Sequence, residues 1–112
     1  MFMYRLSAII EDIYKKYLPV AENLGVILNL DFPNPTKRIP EPSKVREPLE
    51  IHVSSALKRT KGEVRISVGK NGIEIFDNGT TLSPTALALF NKPDHIEAKS
   101  RVGFGTKVFI KF

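Results

Sequence analysis

The 112-residue chain has no cysteine. That excludes disulfides and thiolate metal centres. No apolar run approaches ~18 residues, so nothing reads as a membrane span. The N-terminal stretch is broken by Glu11, Asp12, Lys15 and Lys16, which does not fit a signal peptide. The expectation is a cytoplasmic protein without a membrane partner. Repeats, low-complexity tracts and interdomain linkers are also missing. Residues 1–112 are therefore expected to form one domain, near the modal size. Two histidines, His52 and His95, give no metal-ligand spacing.

Acidic residues are the minority charge: 12 Asp and Glu stand against 17 Lys and Arg, for a net charge of +5. A basic balance can serve a polyanion. Here the positives are scattered, at Lys15, Lys37, Lys70, Lys92, Lys107 and Lys111, with one dense run, Lys58-Arg59-Thr60-Lys61. No aromatic residue is interleaved with that run, as a stacking platform for bases would need. A small basic nucleic-acid-binding domain is the minor alternative.

Periodicity supplies the elements. Leu6, Ile9, Ile10, Ile13, Tyr14, Tyr17, Leu18, Ala21 and Leu24 form a helical stripe. Pro19 is expected to kink or restart it, and Gly25 to stop it. Val26 to Phe32 alternates as a strand. A proline-rich loop follows, with a short strand at Thr36 to Ile39. Ser43 reads as the N-cap of a second helix, whose first turn is irregular, or whose regular part starts near Glu47, because of Pro48. Glu63 to Val68 and Ile73 to Phe76 read as a hairpin about Asn71-Gly72, where both residues tolerate φ > 0. Ser83-Pro84 opens a short helix to Phe90. His95 to Ser100 and Thr106 to Phe112 make a second hairpin. The expected fold is α+β: a two-layer sandwich with three helices on one face of a mixed, mainly antiparallel sheet.

Three segments carry a resemblance: Leu49 to Thr60 (LEIHVSSALKRT), Ile73 to Gly79 (IEIFDNG) and Gly103 to Phe112 (GFGTKVFIKF). In this order, among these elements, the chain resembles the ATP-binding catalytic domain of sensor histidine kinases. That places it near the superfamily that also holds gyrase, heat-shock and mismatch-repair ATPases (the GHKL, or Bergerat, fold). The resemblance spans nearly the whole chain. It implies that Asp77 reads the adenine amino group, that Gly79 allows close approach to the ring, and that Thr106 supports the contact through water. On residues alone, Asp77-Asn78-Gly79 reads first as a plain turn, and Thr106 reads equally well as a β-branched residue opening a strand.

The departures lie on the phosphate side. Ser55 stands where the family's magnesium-holding asparagine would be, a weak metal candidate without a carboxylate. Ile51, one turn earlier, replaces a polar residue and can neither ligate metal nor polarise water. Lys58 matches a basic residue near the phosphates, or is a solvated helix-end lysine. Thr81 replaces a glycine. Only Asn91 to Asp94 separates Phe90 from His95, so the family's lid and second glycine box, whose helix N-terminus would hold phosphates, are missing. His52 lies on the second helix, and the chain lacks the separate helix that carries a phosphoacceptor histidine. The resemblance thus implies a degenerate signalling module, with weak ATP or ADP binding, with or without magnesium, and no assigned catalytic residue. The expected partner is a kinase or response regulator. The competing expectation is a nucleotide-binding subunit completed by a partner chain.

Overall fold

A computed structural model describes residues 4–33, 38–39 and 41–112. Ten elements follow one another: β1 (Tyr4–Arg5), α1 (Leu6–Leu24), β2 (Ile27–Asp31), β3 (Arg38–Ile39), α2 (Ser43–Arg59), β4 (Glu63–Val68), β5 (Gly72–Asp77), α3 (Pro84–Phe90), β6 (Ile96–Arg101) and β7 (Gly105–Lys111). The main sheet has the order β2-β4-β5-β7-β6. β2 and β4 are parallel, joined by the α2 crossover. All other pairs in that sheet are antiparallel. β1 and β3 form a separate two-stranded ribbon. The three helices and the mixed, mainly antiparallel sheet match the architecture expected from periodicity.

Alternation explains which sheet face is buried. Val64, Ile66, Ile73, Ile75, Val108 and Ile110 are fully buried and meet the stripes of α1 and α2. From α1 come Leu6, Ile9, Ile10 and Ile13, and from α2 Val45, Leu49, Val53 and Ala56. The opposite sheet face carries Arg65, Glu97, Lys99 and Lys107, all exposed. Two ion pairs, Lys16–Glu50 and Arg46–Asp12, strap α1 to α2. The Tyr14 hydroxyl donates to the Leu28 carbonyl at 3.2 Å. α3 buries no residue of its own. It carries the chain from β5 past β7 to the edge strand β6.

Several local expectations needed correction. α1 runs unbroken through Pro19, and α2 runs unbroken through Pro48 from Ser43. Pro19 is exposed, so the carbonyl it strands can meet water, while buried residues before and after it hold the helix. At the start of α2 the Pro42 carbonyl accepts from Val45 and Arg46 at 3.1 and 2.8 Å, and the Ser43 side chain makes no cap. β1 escaped the sequence reading because two residues give no period. Of the strand expected at Thr36 to Ile39, residues 36 and 37 lie outside the described ones, and Arg38–Ile39 is the strand that pairs with β1. The β4–β5 turn is closed by the Gly69 N–H donating to the Gly72 carbonyl at 2.9 Å. Neither Asn71 nor Gly72 adopts a positive φ. Gly72 is instead a close-approach position, since a Cβ there would lie 2.4 Å from the Ile110 carbonyl oxygen. Gly25 ends α1 at φ 68° and Ser83 Oγ caps α3 by accepting from the Ala86 N–H, both as expected.

Gly105 meets both constraints at once. Its φ is 90°, and a Cβ would fall 2.0 Å from the Asp77 carbonyl oxygen. Strain and clash add, so Gly105→Ala should lower unfolding free energy by at least about 2 kcal/mol. Urea denaturation measures this, and an unchanged midpoint would show that the β5–β7 approach is looser than described.

Candidate functional site

The end of β5, the end of α2 and the start of β7 converge on Asp77. Its side chain is fully buried. Asp77 Oδ2 accepts from Arg59 Nε at 3.0 Å. Arg59 Nη2 lies 2.8 Å from the same oxygen, an ion-pair contact outside hydrogen-bond geometry. Asp77 Oδ1 accepts from the Gly79 N–H at 3.0 Å, which closes a local turn. Burial pushes the Asp77 carboxyl above its ordinary range, and the Arg59 guanidinium and the Gly79 N–H pull the other way.

Arg59 is fixed on every side. Its Nη1 donates to Ser55 Oγ at 2.6 Å, one helical turn back, a spacing that brings i and i+4 side chains together. Its guanidinium carbon stands 5.6 Å from the Phe90 ring centroid, within cation–π range. One guanidinium thus links Ser55 on α2 with Asp77 at the end of β5.

Gly79 lies against the end of α2. A Cβ there would meet the Arg59 carbonyl oxygen at 2.0 Å, so its lack of a side chain serves the contact between the turn and the helix. Asn78 braces the same junction. Its Oδ1 accepts from Thr60 Oγ1 at 2.8 Å and from the Lys61 and Glu63 N–H groups at 3.2 and 3.3 Å. Thr106 is fully buried and opposite Asp77 in register. Its Oγ1 lies 2.9 Å from Ser100 Oγ, and Ser100 Oγ accepts from the Leu82 N–H at 2.8 Å. Asp77, Gly79, Thr106 and Ser55 therefore share one neighbourhood. Lys58 is exposed on α2 and shares with Ser55 a surface groove also lined by Tyr17, Glu50 and Ser54, while it makes no contact with Asp77 among those described. Ile51 is 62% exposed. Among the described residues no three His, Asp or Glu side chains gather as a metal site would require.

Sequence reasoning missed Arg59 and Ser100. Arg59 read as one member of a basic run. The signal that could have found it is its spacing, four residues after Ser55 and at the C-terminal end of the helix before the Asp77 hairpin. Ser100 could be found only from the β6–β7 register, which sets it opposite Thr106.

His52 is buried too, edge-on to Phe90 with ring centroids 4.9 Å apart. Burial first, then the charges of Arg59 and Lys92, push it down to about 4 from 6.5. The unfolded imidazole therefore takes up a proton before the folded one does. Stability falls as pH drops from about 6.5 toward 4, by up to about 3 kcal/mol from this group. Urea midpoints at roughly pH 7 and about pH 4.5 should show wild type losing about 2 kcal/mol more than His52→Leu. Equal losses would mean that His52 is solvated.

No protein-family model matches the sequence, and no curated protein matches it. Solved structures do match in three dimensions. The catalytic domain of histidine kinase ThkA aligns with a TM-score of 0.79 at 12% identity, covering 98% of this chain and 95% of that one. Histidine kinase AdeS of Acinetobacter baumannii aligns at 0.74 and 13% identity, covering 98% and 66%. Full-length ShkA, solved in complex with AMPPNP, aligns at 0.75 and 15%, covering 100% and 32%. None of the helices in the described residues is long and apolar enough to cross a membrane. At such identities the likeness is one of fold, and over nearly its whole length this chain has the fold of histidine kinase catalytic domains.

Proposed function

We propose that the chain is a signalling module built on a histidine kinase catalytic fold whose nucleotide seat is taken by an internal ion pair. It acts by binding another signalling protein rather than by transferring phosphate. The observation that carries this reading is the Arg59–Asp77 contact. Asp77, which the resemblance matches to the residue that receives the adenine amine, already holds a guanidinium on Oδ2. An adenine amino group is neutral and would have to displace a buried charged partner. Breaking such a pair by removing one member costs about 3–5 kcal/mol, so nucleotide binding through Asp77 is weak.

Magnesium fits no better. Ser55 Oγ accepts from Arg59 Nη1, which sets a fixed cation beside the hydroxyl that the resemblance matches to the metal-holding position. Ile51 offers no lone pair. Positioned phosphates and metal are what phosphoryl transfer needs from a protein, and among the described residues no three His, Asp or Glu side chains gather to hold a metal. Of the dense basic run, Arg59 is spent internally on Asp77, which leaves the two exposed lysines Lys58 and Lys61, too few for a phosphate-tracking surface. The partner follows from the company the fold keeps: ThkA has been solved in complex with the response regulator TrrA.

Calorimetric titration with ATP and magnesium tests the reading. The expected dissociation constant is weaker than about 1 mM, with affinity rising in Arg59→Gln, which frees the carboxylate. Micromolar, magnesium-dependent binding that is lost in Asp77→Asn would overturn it.

A further inference from the structure

A cleft of about 510 Å³ opens between the first half of α2, the end of α3 and the start of β6. It is distinct from the Asp77 neighbourhood, for none of Asp77, Ser55 and Thr106 lines it. Its volume falls in the range of small-molecule sites.

The walls are apolar, with Ile51, Leu89 and Phe90 foremost. Ile51 and Leu89 are 62% and 73% exposed, two large aliphatic side chains facing solvent at one opening. Lys44 and Lys92 border the cleft against a single carboxylate, Glu47. Lys44 has Glu41 3.4 Å away, while Lys92 has no acidic partner among the described residues. The cleft's charge is therefore positive and concentrated near Lys92.

His52 supplies an independent sign of a ligand. It lines the cleft, its side chain is 5% exposed, and its Nδ1 is buried with no hydrogen-bond partner among the described residues. A buried polar atom without a partner is costly, and each such atom in a native fold calls for an explanation. A bound polar group would provide one.

We infer that this cleft binds a small amphipathic carboxylate. Its apolar body lies against Ile51, Leu89 and Phe90, its carboxylate meets Lys92, and its polar end lies beside the His52 imidazole that lines the cleft. The charge is what separates this class from neutral or cationic ligands of the same shape. The inference does not rest on the reading of Asp77, which does not line the cleft, although Phe90 borders both the cleft and Arg59.

The experiment is a titration of the isotope-labelled chain with 2-naphthoate, followed through backbone amide resonances, with 2-naphthamide as the neutral isostere. The expected result is saturable shifts centred on Ile51, His52, Leu89 and Phe90. The amide should bind about tenfold more weakly. Lys92→Glu should lose about tenfold in naphthoate affinity, while Lys70→Glu, in the β4–β5 turn, should lose none. Leu89→Asp changes an exposed position, so it should keep a folded spectrum and abolish saturation. Shifts centred elsewhere, equal binding of the amide, or indifference to Lys92→Glu would each overturn the assignment, as would no saturable shift at millimolar ligand.

Discussion

A carboxylate buried at the end of a central strand must have a counter-charge, and the last turn of α2 provides it. Much of this end of the molecule follows from that requirement. For Arg59 to reach Asp77, the helix terminus must lie against the turn that follows β5. Gly79 makes room for the Arg59 carbonyl, and Asn78 stitches the α2–β4 turn to the same segment. Gly105 lets β7 begin directly against the Asp77 carbonyl. Ser55 and Phe90 hold the guanidinium from two further sides. Buried ion pairs contribute little net stability because desolvation offsets attraction, but losing one partner is expensive. Such a pair is therefore better at fixing an arrangement than at stabilising it.

The same arrangement bears on chemistry. A fold that elsewhere carries nucleotide, as ShkA does with AMPPNP, here has its carboxylate and its hydroxyl engaged by a single arginine. In this chain the Asp77 carboxylate and the Ser55 hydroxyl both have their partner inside the protein. The open surface lies elsewhere, in the cleft bordered by Ile51, Leu89 and Lys92. Two regions of one helix face thus take opposite roles. The C-terminal turn of α2 is closed by Arg59, and its N-terminal half lines an accessible apolar recess.

The architecture was legible because it rests on periodicity. Stripes such as Ile9-Ile13 and Val64-Ile66-Val68 report burial directly, and Ser83-Pro84 and Gly25 mark boundaries through local chemistry alone. What was not legible depends on pairing across the chain. β1 is too short to show a period, and Ser43 is a good cap by type that the Pro42 carbonyl makes unnecessary. Gly72 is needed for its neighbour Ile110 rather than for its own φ. At the site, Asp77, Gly79, Ser55 and Thr106 could be named from motif order. Arg59 could not, because a lysine- and arginine-rich helix end looks solvated until the strand it faces is known. His52 lies on the buried stripe of its helix, three residues after Leu49 and four before Ala56, and that spacing was the sign of its burial.

The central claim is that Arg59 and Asp77 act as one unit. A double-mutant cycle with Arg59→Met and Asp77→Asn, read by urea denaturation, measures that coupling directly. The account predicts an interaction free energy of about 2 kcal/mol or more, with the double variant more stable than the sum of the single losses implies. Additive losses within about 0.5 kcal/mol would contradict it, because the guanidinium would then not be the partner that the buried carboxylate depends on.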